Sequence, residues 1–285
     1  MTNQNSSDLS VLDIDARQEL RRIPVPGNPA GVAVAADGST YTVSPDTKTV
    51  RRIDPETGAT LAETVLDGGP IGIALDADHG RVFVSDWYNA RIWALDAGTL
   101  APLAELETGS APAGLAVAGG VLASADRDAD QVSLFTLSDL RRAARVTVGT
   151  RPFGLGFAPD GRLFVGNVGS NDVSVIDPAT ARVTATLPVG DRPYGVGFAA
   201  GRVFVTNQYA DTVSVFDLAT LAPLATIPVG EYPEGIDSIR DTGPVVVANW
   251  FSNTVSLIDP ATLQVVGEIA TGDGPRAFGR FILQR

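Results

Sequence analysis

A proline recurs through this chain at Pro29, Pro70, Pro112, Pro152, Pro193, Pro233 and Pro275, at intervals of 41, 42, 40, 41, 40 and 42 residues. Glycine follows two positions later at Gly31, Gly72, Gly114, Gly154, Gly195 and Gly235, and Ala277 takes its place in the last copy. An independent marker keeps the same step: Asp13, Asp54, Asp96, Thr136, Asp177, Asp217 and Asp259. Seven copies of two markers at one period leave little freedom. The chain must be a stack or a ring of one supersecondary unit.

Residues 149–189 show what the unit is. Gly154 to Ala158 alternates small and apolar residues, and Pro159-Asp160-Gly161 is a turn. Arg162 to Val165 reads as a second strand, Val173 to Ile176 as a third and Arg182 to Val189 as a fourth. Asp177-Pro178-Ala179-Thr180, between the last two, carries Asp and Pro where a type I turn wants them. The other units repeat that Asp turn. Four short strands at a period near 40 predict a β-propeller. Seven units of about 41 residues use all 285. The expectation is therefore an all-β, seven-bladed propeller with four-stranded antiparallel blades, one domain over 1–285. No 18-residue apolar window exists, so no membrane-spanning helix is expected.

The ends are expected to share the last blade. Leu9 to Asp13 reads as a third strand, and Thr2-Asn3 aligns with Thr206-Asn207, which places Met1 inside a second strand. Pro275 plus ten residues reaches Arg285, the counterpart of Val203. Blade seven then takes its first and innermost strand from Ala277 to Ile282, and its third and fourth from the N-terminus. Six blades should have four strands. Residues upstream of Met1, a leader and the rest of that strand, are expected to belong to the protein; the alternative is a native start with an incomplete blade. Residues 1–8 show neither a positive nor an apolar leader segment.

Three stretches resemble the YVTN-type propeller repeat: LFVGNVGSNDVSVID at 163–177, VFVTNQYADTVSVFD at 203–217 and VVVANWFSNTVSLID at 245–259. The closing segment GPRAFGRFI, 274–282, is similar to the way these proteins end. The resemblance implies a bacterial, exported protein, periplasmic or secreted rather than cytoplasmic. Propeller subunits of amine dehydrogenases are similar, and some members of the family bind nucleic acid. Fold alone does not carry an activity.

A net charge of −12 argues against nucleic acid, whose phosphates need clustered Lys and Arg. The absence of cysteine excludes disulfides, thioether haem attachment and thiolate metal sites. His79 is the only histidine and lies in the turn between the first two strands of blade two, so Ser-His-Asp and His-rich metal chemistry are not available. Asp126, Asp128 and Asp130 begin like a calcium loop, but Gln131 stands where glycine is needed; a solvated loop is the better reading. Blade six contains an insertion-prone segment, IDSIRDTGPVVV. No cofactor or metal is expected, and the protein is expected to be a monomer.

Function should then lie in the positions that vary between repeats. Two sets of loops share one face: those carrying the recurring proline, and those after the Asn position of the second strand. They hold Trp87, Tyr88, Arg127, Tyr209, Trp250 and Phe251 from one set, and Arg151, Phe153, Arg192, Tyr194, Glu234 and Arg276 from the other. Aromatics with arginine on a concave face suit binding; the alternative is that they pack loop against loop. The favoured reading is non-catalytic binding of a small anionic molecule or a protein at the channel mouth, with Glu234 either at the site or paired to Arg276. A lactonase- or lyase-like enzyme with carboxylates at the mouth, or a subunit of a periplasmic redox complex, remains the alternative.

Overall fold

The structure, a computed structural model, describes residues 1–239 and 242–283. Its strands form seven sheets around a ring, five of them four-stranded, one five-stranded and one three-stranded. Blade four is representative: Pro152–Phe157 innermost, then Leu163–Asn167, Asp172–Asp177 and Arg182–Pro188 at the rim. All pairs within it are antiparallel. The second strand is buried on both faces, with Leu163, Phe164 and Val165 fully covered, because a neighbouring blade lies against each side. The rim strand alternates exposed and covered residues, as a half-solvated strand does. His79 sits, as expected, in the turn between the first two strands of blade two, beside the buried Asp76 carboxylate at 2.9 Å.

The recurring glycine has a steric cause. A methyl group on Gly31, Gly114 or Gly195 would come within 2.7 Å of the carbonyl oxygen of Ile71, Phe153 or Glu234, the residue after the proline of the next blade. Only glycine permits that approach. The recurring Asn is also structural. Asn167, Asn207 and Asn249 are fully buried, and each Nδ2 donates to a serine seven residues on, at 2.9 Å. Asp126 holds the same place in blade three. It is buried rather than solvated, and accepts hydrogen bonds from Ser124, Ser133, Gln131 and the Gly109 amide. Asp128 instead meets Arg127 at 2.6 Å, and Asp130 accepts from the Arg151 amide, so the triplet does not converge.

The ring closes through both termini, but not with the expected pairing. Blade seven comprises Thr2–Asn3, Asp8–Asp13 and Gln18–Pro24. The C-terminal segment meets it at an antiparallel bridge between Pro275 and Asn3, supported by the Arg276 amide on the Thr2 carbonyl at 2.9 Å. Past that point Phe278–Arg280 leaves blade seven and pairs in parallel with Gly31–Val34, the innermost strand of blade one. Blade one therefore has five strands and blade seven three, in place of six blades of four. The reason is the partner on offer. Blade seven presents only Thr2 and Asn3 to this segment, whereas Gly31–Val34 has a free edge. Asp237 of blade six then accepts the Phe281 and Ile282 amides, at 3.0 and 3.1 Å. Gln284 and Arg285, and Arg240 and Asp241 of the blade-six segment, lie outside the described residues.

Candidate functional site

The residue before six of the seven recurring prolines is held in an unusual conformation. Asn28, Ala111, Arg151, Arg192, Tyr232 and Gly274 have φ between 52° and 68°, the left-handed region. Side chains of the preceding blade fix four of them. Asp130, Asn171, Asp211 and Asn253 accept from the amides of Arg151, Arg192, Tyr232 and Gly274, at 2.7–2.9 Å. The mouth loops are thus pinned blade to blade, and their side chains face a fixed frame.

Within that frame Phe153, Tyr194, Glu234 and Arg276 crowd one side of the mouth. Phe153 lies 4.6 Å from Tyr194 and 5.1 Å from Phe278, ring centre to ring centre. Trp87 adds a fourth ring 6.1 Å from Phe153, and Arg127 stands over Trp87 at 5.3 Å. Phe278, carried in by the C-terminal strand, is buried against Phe153 and Tyr194. This part of the aromatic set packs ring on ring.

Beside these rings, Arg276 Nε lies 3.1 Å from Glu234 Oε2, and the Glu234 side chain is only 5% exposed. The Arg276 guanidinium also donates to the Tyr194 hydroxyl, at 2.7 Å from Nη2, and to Gln4 Oε1 at 3.1 Å. Gln208 Nε2 donates to Glu234 Oε1 at 2.6 Å. Burial pushes the Glu234 carboxyl above the usual carboxylate range, against the pull of Arg276, and burial likewise raises the Tyr194 hydroxyl. Tyr194 is thus a hydrogen-bonding phenol here, unsuited to act as a base.

A cavity of about 240 Å³ opens above this ion pair, lined by Gln4, Phe153, Val168, Arg192, Tyr194, Gln208, Tyr232, Glu234, Trp250 and Arg276. Four atoms of its lining are buried and make no hydrogen bond: Gln208 Oε1, Glu234 Oε2, Arg192 Nε and Trp250 Nε1. Glu234 Oε2 has the Arg276 charge beside it but no well-directed donor. Farther out runs a groove of about 380 Å³ between Asp191, Gln208, Tyr209, Asp211, Glu231, Tyr232 and Phe251. Tyr232 links the two. Its ring lies 5.3 Å from Tyr209, 5.8 Å from Trp250 and 4.8 Å from Phe251, and its hydroxyl is pushed up to about 12, mainly by burial.

Of the arginines expected at the mouth, Arg192 and Arg276 border the cavity; Arg276 is committed to Glu234, and Arg151 is exposed and outside the lining. Arg192 stacks over Tyr209 at 4.6 Å and donates to its hydroxyl at 2.8 Å. Tyr88 is 77% exposed and also stands apart. Gln4, Gln208 and Tyr232 line the site but were not among the expected binding residues, although Gln208 belongs to the variable set after the Asn position. The repeat register points to all three. Gln4 and Gln208 follow the Asn position, and Tyr232 precedes its proline as Arg192 does. Phe278 had no such signal, since its place depends on the parallel pairing of the C-terminus.

Fold and repeat together define the chain as a β-propeller repeat protein, seven-bladed and all-β. A family model described as YNCE-like beta-propeller matches residues 191–275, and one described as NHL repeat matches residues 68–95. No curated protein sequence matches the chain significantly. Solved structures share the fold at low identity. A functionally unknown protein from Desulfotomaculum acetoxidans superposes with a TM-score of 0.82 at 16% identity, over 99% of this chain and 97% of its own. Hydrazine synthase from Kuenenia stuttgartiensis gives 0.79 at 15%, over 88% and 89%. The dihydro-heme d1 dehydrogenase NirN, solved in complex with DHE, gives 0.72 at 18%, over 94% of this chain and 62% of its own. No helix among the described residues is long and apolar enough to cross a membrane.

Proposed function

We propose that this protein is a ligand-binding propeller that seats a small polar molecule in the mouth cavity between blades four and seven. One observation carries the reading: four buried polar atoms without hydrogen-bond partners belong to residues that line one cavity, Gln208 Oε1 and Glu234 Oε2 as acceptors, Arg192 Nε and Trp250 Nε1 as donors. Leaving such groups unpaired costs roughly 1–3 kcal/mol each, so a molecule that pairs them gains that much in specificity. Phe153 and Tyr194 would supply the apolar floor. An anionic or carbonyl group fits beside Arg192 and Trp250. It does not fit beside Arg276, whose charge Glu234 already offsets. The resemblance to exported propellers supports a periplasmic or secreted setting; recovery of the native protein in a cytoplasmic fraction would overturn that part.

The test is a thermal-shift screen of small polar metabolites against the wild type, Gln208→Leu and Trp250→Phe. Compounds that raise the wild-type midpoint should lose most of that effect in both variants. Equal stabilisation of all three proteins would show that binding lies elsewhere.

A further inference from the structure

The outer groove differs in character from the cavity it adjoins. Three carboxylates line it, Asp191, Asp211 and Glu231, and all three residues are exposed. Among the described residues none of them makes an ion pair, and Asp211 spends one oxygen on the Tyr232 amide at 2.8 Å. The remaining wall is aromatic: Tyr209, Tyr232 and Phe251, with Tyr209 51% and Phe251 57% exposed. Gln208 forms the base. It is 3% exposed, and its orientation is fixed because Nε2 must face the Glu234 carboxylate, which leaves Oε1 buried and without a donor. Every polar atom offered here by a side chain, apart from the tyrosine hydroxyls and Gln208 Nε2, is an acceptor.

We infer that this groove binds an organic cation, an ammonium or guanidinium group, by the carboxylates and aromatic faces around it and the Gln208 carbonyl at its base. The chemistry follows from each part. Carboxylates attract the charge, and an N–H donor on the cation satisfies Gln208 Oε1. Aromatic faces favour a cation over water-matched alternatives. Arg192 already covers Tyr209 and bonds its hydroxyl, so Tyr232 and Phe251 supply the faces left to the ligand. A chain net charge of −12 adds a long-range attraction for the same sign of ligand. The inner cavity lacks this character, since Arg192 and Arg276 both border it.

The cation could arrive on a free amine or on the side chain of another protein, and the experiment separates these. Binding of agmatine and of the peptide acetyl-Gly-Arg-Gly-amide is measured by calorimetry at low salt, with succinate and acetyl-Gly-Gln-Gly-amide as controls. Saturable binding of agmatine alone assigns a small amine, and tighter binding of the arginine peptide assigns a protein side chain. Either is expected to weaken about fivefold or more in the double variant Asp191→Asn, Glu231→Gln, and to weaken further with added salt. Phe251→Ala provides a second readout if the double variant melts differently from the wild type. No saturation by about 10 mM of either cation, equal binding of the controls, or affinity within twofold of wild type in folded variants overturns the inference. Gln208 lines both spaces, but Asp191, Glu231 and Phe251 do not line the inner cavity and Trp250 does not line the groove, so these variants and the Trp250→Phe arm of the metabolite screen can fail separately.

Discussion

Arg276 and Glu234 form an ion pair taken almost out of water, with side chains 17% and 5% exposed. Removing one partner of such a pair strands the other. Arg276→Ala is expected to cost about 3–5 kcal/mol in a denaturant titration, and Arg276→Met with Glu234→Gln to recover much of it. A loss below about 1 kcal/mol for the single change would mean that Glu234 is neutral in the folded protein. The sequence placed these two residues side by side, because consecutive lead-in loops must adjoin in a ring, and it allowed that they pair. It could not show how deeply. Part of that depth comes from Tyr194 and Gln4, which both bond the Arg276 guanidinium, and Gln4 reaches the site only through the way the chain closes. Arg151 is a different case. The repeat register assigns it to the mouth, and it shares the left-handed φ of Arg192 and Tyr232, which do line the cavity; nothing in its backbone accounts for its exposed place outside the lining.

The Asp that ends the third strand was legible as a turn residue, and its turns behave alike. Asp54, Asp217 and Asp259 accept chiefly from backbone amides just downstream, while Asp177 is held mainly by the Thr180 hydroxyl; in each the carboxyl lies below its ordinary range. A depressed carboxyl contributes stability that is present above the unfolded value, about 3.9, and is lost as pH falls through the folded one. Asp237 and Glu234 oppose this, since burial raises both. With more turns than buried acids, the melting midpoint should fall as pH drops below about 4; a midpoint that rises there would show the buried pair in control. The C-terminal strand was legible in place but not in partner. Its innermost position was expected, whereas its parallel pairing depends on which edge is free. Gly279 makes the pairing possible: its φ is 137°, and a methyl group there would strike the Val32 carbonyl. Gly279→Ala should lower stability by more than about 1 kcal/mol, and a neutral result in thermal melts would argue against the parallel register.

Seven blades, their number and their order could all be counted from one proline, because a ring of equal units has almost no other solution. What could not be counted was the seam, where blades six, seven and one share the terminal segments. Deleting residues 1–24 removes all three strands of blade seven and the partner of Pro275. Loss of soluble protein is expected, since open sheet edges then face solvent; an unchanged melting midpoint would refute closure through the termini. The pinned residues ahead of the prolines have a different consequence. Their backbone is held by a carboxylate or amide from the blade before, so the fold asks little of the side chain itself. It asks only for tolerance of a left-handed backbone, which β-branched residues lack. Asn, Ala, Arg, Tyr and Gly occupy those places here, and no Val, Ile or Thr does. The mouth is therefore written in a restricted alphabet, one letter for each blade but the second. A new specificity could be spelled at positions 192 and 232 with the ring left untouched, provided the letters that stiffen the backbone are avoided.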